Sequence, residues 1–124
     1  MSAKKTLTIV ALAGAAALAA APAQAGSTTG KPQTRTVKVY DDYFSPQKVT
    51  VNRGSVIRWF WPADDYQIHD VKLKSAPKGI RKFQSDPGSA DYVFKRKLTV
   101  PGTYKFICTF HVSDGMAMTV VVRH

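Results

Sequence analysis

Four side chains in this sequence have the types and spacing to meet at one ion. Cys108, His111 and Met116 lie in the string Cys-Thr-Phe-His-Val-Ser-Asp-Gly-Met, a C-x2-H-x4-M pattern. One strand-to-strand loop of that length can bring a thiolate, an imidazole and a thioether to a single point, and His69, far upstream, supplies a second imidazole. Two imidazoles and a thiolate in a near-trigonal set, with a weak thioether, suit copper cycling between Cu(I) and Cu(II). The sulfur ligands favour the soft cuprous ion, while the imidazoles serve both states. Zinc also accepts Cys and His, but structural zinc sites take four such ligands and seldom use Met. Singly, each residue has a plainer explanation, since a lone Cys or His on an apolar face packs and Met fills gaps. It is their joint spacing that points to a metal. Met116, behind Gly115, falls where the loop turns back; Met118 shares strand parity with Val120 and Val122, so packing accounts for it. His124 is the last residue of the sequence and is not counted as a ligand, and Trp59 reads as core.

The elements that must position these residues read as strands. Residues 36–40 alternate, with Val37 and Val39 on one face, and 48–51 alternate again before the turn signal Asn52-Arg53-Gly54. Residues 55–61 place Ile57, Trp59 and Trp61 together. The pattern predicts a strand over 69–73, with His69, Val71 and Leu73 inward and Asp70, Lys72 and Lys74 outward. Tyr104, Phe106 and Cys108 share a face, as do Met118, Val120 and Val122. Short strands, frequent turn residues and no 3.6-residue stripe predict an all-β sandwich. The segment 75–89 is too rich in Pro, Gly and Ser for a central strand and reads as a loop. Arg96 has the parity of Phe94 and Leu98, which calls for a bulge or a snorkelling side chain.

Of the 124 residues, 1–25 have the organisation of a cleavable secretory signal peptide: Lys4 and Lys5, an uncharged run, then Ala23-Gln24-Ala25. Residues 26–34 are expected to form a mobile polar leader, and 35–124 a single copper-binding domain. Removing Lys4 and Lys5 takes the formal charge from +10 to +8, and the chain contains no Glu. The basic residues alternate with apolar ones, as on solvated strand faces, and form no stripe of the kind nucleic acid requires. Export sharpens the meaning of the single cysteine, because oxidising compartments pair thiols unless burial or a metal protects them.

With these residues in place the sequence resembles the small blue-copper proteins, or cupredoxins, of the plastocyanin and pseudoazurin type. The resemblance rests on YFSPQKVTVNRGSVIRWFW, on IHDV around His69, and on PGTYKFICTFHVSDGMAMTVVV. It implies a Greek-key β-sandwich with copper near one end and His69, Cys108, His111 and Met116 as ligands. Four positions depart from the family pattern: Asp70 for a usual Asn, Ile68 for a common Pro, Trp61 for Asn and Met118 for Gly. None removes a ligand. The expected function is one-electron transport by an exported monomer, periplasmic or extracellular. Copper buffering or delivery is the alternative, and enzymes of this kind need further copper centres for which three His do not suffice. The net charge predicts redox partners with an acidic docking surface and steering that salt screens. The expected exit is the edge of His111, framed by Phe110 and by Met118 or Trp61.

Overall fold

The structure is a computed structural model and describes residues 30–124. The signal peptide and most of the leader fall outside the described residues. Eight strands follow one another: β1 (Thr34–Tyr40), β2 (Tyr43–Ser45), β3 (Lys48–Asn52), β4 (Ser55–Trp61), β5 (Lys72–Ser75), β6 (Tyr92–Leu98), β7 (Gly102–Ile107) and β8 (Ala117–Arg123). They form two four-stranded sheets, ordered β2-β1-β4-β6 and β3-β8-β7-β5. In each sheet one parallel pair, β1 with β4 and β3 with β8, interrupts otherwise antiparallel pairing. Among the described residues the single helical element is a 3-10 turn at Val112–Asp114.

Period-two alternation places the core between the sheets. Val37 and Val39, Val49 and Val51, Ile57, Trp59 and Trp61, Tyr104 and Phe106, and Val120 and Val122 all point inward and are buried. Each buried large side chain of this kind contributes about 1.5–3 kcal/mol. Tyr104 closes one end of the core, its hydroxyl donating to the carbonyl of Val100 at 2.7 Å. At the start of the domain, the N–H of Gln33 donates to Ser55 Oγ, and its carbonyl accepts from the N–H of Val56. These bonds tie the chain down just before β1.

One expectation needs correction. The strand predicted over 69–73 begins only at Lys72, and His69 makes an isolated bridge to Gly88. Alternation therefore fails at its start, and His69, Asp70 and Val71 are all buried, because irregular backbone can turn consecutive side chains inward. Arg96 takes the second of its two expected solutions, a snorkelling side chain without a bulge. It pairs in register with Ile57, and its guanidinium lies over the rings of Phe83 and Phe94, at 4.9 and 4.8 Å from their centroids. A cation held over aromatic faces covers apolar surface without burying its charge.

Candidate metal centre

The ends of β1, β4 and β7, and the starts of β5, β6 and β8, meet at one end of the sandwich, where His69, Cys108 and His111 come together. Cys108 Sγ lies 3.9 Å from His69 Nδ1 and 3.6 Å from His111 Nδ1, and the three donor atoms are within 4.8 Å of one another. Bonds of about 2.0 Å to nitrogen and 2.3 Å to sulfur in one plane would place such N and S donors about 3.7 Å apart. The spacing therefore fits one shared ion. Met116 is 1% exposed and is stitched to the same loop: the N–H of Cys108 donates to its carbonyl, and its own N–H donates to the carbonyl of His111. Gly115 makes this closure possible. Its φ of 77° lies in the left-handed region, which side chains other than glycine's disfavour.

The two methionines are distinguished by their neighbours. Met118 Sδ accepts a hydrogen bond from the indole Nε1–H of Trp59 at 3.3 Å, so its sulfur is held in the core. Met116 has no such partner among the described residues and belongs to the ligand loop.

Around the donors stands a set of residues of which the sequence singled out only Asp70, through the family resemblance and not through strand patterning. The two-residue turn joining β1 to β2 is Asp41-Asp42, with Asp42 at φ 72°. Asp41 Oδ1 lies 2.8 Å from His69 Nε2. With Nε2–H donating to that carboxylate, Nδ1 presents its lone pair toward Cys108, so Asp41 selects the tautomer a metal needs. Asp41 also accepts from the N–H of Tyr66 and of Gln67. Burial raises its pKa, but the bonds from His69, Gln67 and Tyr66 outweigh this and hold it below the usual carboxylate value. Asp42 lies 3.7 Å from His111 Nε2. Asp70 does the bracing expected of an Asn. It accepts from the N–H of Thr109 (2.7 Å), the hydroxyl of Thr109 (2.6 Å) and Gln84 Nε2 (2.8 Å), fixing the residue that follows the cysteine.

Burial pushes the Cys108 thiol up; backbone donors at Asp70, Phe110 and His111 lower it, and the Asp70 charge adds to the rise. A metal must therefore displace the thiol proton to bind. Asp65 is pushed up to about 6, first by burial and then by the nearby charges of Asp41 and Asp64.

The rim differs from the expected one. Trp61 and Met118 are buried and cannot frame an exit; Trp61 instead packs on Tyr92, its Nε1 left without a partner. Phe110 is 51% exposed, and the side chains that join it at the surface of this end are Val112, Ile68, Tyr66 and Tyr43. Tyr66 and Ile68 were not apparent from patterning because they occupy a loop, where periodicity carries no information, and Tyr43 opens the short strand β2.

A β-sandwich that gathers two His, one Cys and one Met at the end of its strands defines a cupredoxin-type copper protein. Consistent with this, the family described as copper binding proteins, plastocyanin/azurin family, matches residues 33–123. An amicyanin-alpha of Methylorubrum extorquens is 33% identical over 102 residues, covering 82% of this chain and 77% of that protein. A plastocyanin of Prochlorothrix hollandica is 29% identical over 122 residues, covering 93% and 87% respectively. In fold, a pseudoazurin from Sinorhizobium superposes with a TM-score of 0.63 at 22% identity, over 74% of this chain and 75% of that one. The chain belongs to the plastocyanin/azurin family of copper-binding proteins. Copper is its cofactor.

Proposed function

We propose that this protein is an exported one-electron carrier that holds a single copper ion through His69, Cys108, His111 and Met116 and shuttles between redox proteins without catalysing a reaction of its own. The bound ion supplies the Cu(I)/Cu(II) couple. The chain supplies a frame in which Asp41 and Asp70 brace His69 and Thr109, so the donor positions need change little when an electron moves. The observation that carries the reading is the uneven exposure of the donors. His69 and Cys108 are fully buried and Met116 nearly so, while the His111 side chain is 15% exposed amid apolar surface. Its ring edge is the shortest route between the site and a docked partner. Among the described residues no helix is long and apolar enough to cross a membrane.

Taken by itself, the net charge of +8 beyond Lys4 and Lys5 would favour an acidic partner at long range. At contact distance the charge of the docking end counts for more, because screening removes remote charges first.

The test is an absorption spectrum of the protein with one equivalent of Cu(II), followed by a redox titration. An intense thiolate-to-copper band, absent in Cys108→Ser, together with a reversible one-electron couple is the expected result. A colourless complex would remove the site assignment. A coloured complex that takes up an electron only over hours would favour copper buffering or delivery instead.

A further inference from the structure

The charges of this molecule are segregated. None of its eight carboxylates lies in a strand, whereas eleven of the Lys and Arg side chains do. Asp41 and Asp42 form the turn beside His69 and His111, and Asp64 and Asp65 follow β4 toward His69. Asp70 holds Thr109, the Asp91 N–H donates to the Trp61 carbonyl at the end of β4, and Asp114 sits in the ligand loop. Asp86 falls between Ser85, whose N–H and Oγ bond Val71, and Gly88, which pairs with His69. The carboxylates thus gather at the metal end. The outer faces of the sheets carry Lys38, Arg58, Lys95 and Lys97 on one side and Lys48, Lys72, Lys74 and Lys105 on the other. The far end carries Arg53, bonded to the carbonyl of Arg123.

A cluster of carboxylates alone does not make a docking face. The second observation is independent of charge: Tyr43, Tyr66, Ile68, Phe110 and Val112 are all exposed large apolar side chains at this same end. Exposed apolar surface rimmed by charge marks a protein interface. A seven-residue strand spans about 23 Å. The cations of the far end therefore lie more than two Debye lengths, of about 8 Å each at physiological salt, from a partner seated on His111.

We propose that the metal end is a negatively charged, apolar-centred docking face for a redox protein whose own electron-exit surface is ringed by lysine and arginine. The inference rests on the carrier reading and names its partner by charge. The positive walls repel such a partner everywhere except at the carboxylate end, so the molecule's charge asymmetry orients it before contact.

Two measurements test this on the Cu(I)-loaded protein. The first uses redox-inert paramagnetic ions and does not depend on electron transfer. Hexaamminechromium(III) should broaden the amide resonances of Asp42, Asp64, Tyr66 and Ser113, and hexacyanochromate(III) those of Lys95, Lys97 and Lys105. Broadening by the cation that is uniform, or absent from the metal end, overturns the proposal. The second follows electron exchange with a lysine-rimmed c-type cytochrome in the downhill direction; one electron passes between copper and haem iron, oxidising one as it reduces the other. Both proteins are net positive, so a rate that falls several-fold with rising ionic strength can come only from the local charges, and Asp64→Lys should lower it. A rate that rises with ionic strength overturns the docking face. Absence of exchange with cytochromes of either surface charge removes the carrier reading itself, and the broadening pattern then still decides whether the negative face exists.

Discussion

Asp41 Oδ1 and His69 Nε2, brought together across 28 positions of sequence, lie 2.8 Å apart. One carboxylate thereby fixes the tautomer and direction of a buried imidazole and places a negative charge behind it. Removing such an outer partner typically lowers metal affinity about 10–100-fold. Asp41→Ala should weaken copper binding by that order, measured by chelator competition. Asp41→Asn keeps an acceptor but removes the charge that favours Cu(II), so it should bind copper more nearly normally and show a higher reduction potential. Equal affinities for the wild type and Asp41→Ala would show that His69 is positioned by packing alone.

Asp70 accepts three hydrogen bonds in a buried place. Asp70→Ala leaves the Thr109 N–H and hydroxyl and the Gln84 amide without their acceptor, which should cost about 2–4 kcal/mol in denaturant unfolding. Asp70→Asn can satisfy Thr109 but not all three donors at once, so it should lose less stability. It also removes a charge near the thiolate and should raise the potential. An Asn variant with unchanged potential would show that the charge does not reach the site.

The methionines should separate cleanly. Because axial donation tunes the potential, Met116→Leu should raise it while copper stays bound, as read by voltammetry. Met118→Leu removes the acceptor of the Trp59 indole, so it should lower stability by about 1–3 kcal/mol and move the potential much less. The opposite ranking would make Met118 the axial ligand.

Asp65 gives a stability prediction with a defined sign. Its carboxyl is raised from 3.8 to about 6 in the fold, so the folded chain holds a proton there that the unfolded chain has released. Its contribution to stability therefore declines as pH climbs from about 4 to 6 and is lowest above that window. In the copper-free protein Asp65→Asn should be more stable than the wild type at pH 7, by up to about 2–3 kcal/mol, and the gain should shrink toward pH 4. A gain of the same size at both pH values would assign the effect to packing instead of charge.

Much of this protein was legible from local pattern. The C-x2-H-x4-M spacing needs only one loop to gather three donors, and alternation in 36–40, 48–51 and 55–61 reports inward faces because a strand's period is two. Such rules hold only where the backbone is regular. They fail at Asp70, which alternation turns outward and irregular backbone buries, and they are silent at Tyr66 and Ile68, which lie in a loop. Tertiary structure alone decided which distant groups meet: the Asp41 carboxylate with His69, the Trp59 indole with the Met118 sulfur, and the Arg96 guanidinium with Phe83. It also decided where the charge sits. A sum over the sequence returns +10, or +8 beyond Lys4 and Lys5, and suggests a uniformly basic surface. The fold sends lysines along the strand faces and aspartates to the connecting ends, since extended backbone leaves long cationic side chains solvated while short carboxylates accept the unpaired N–H groups of turns.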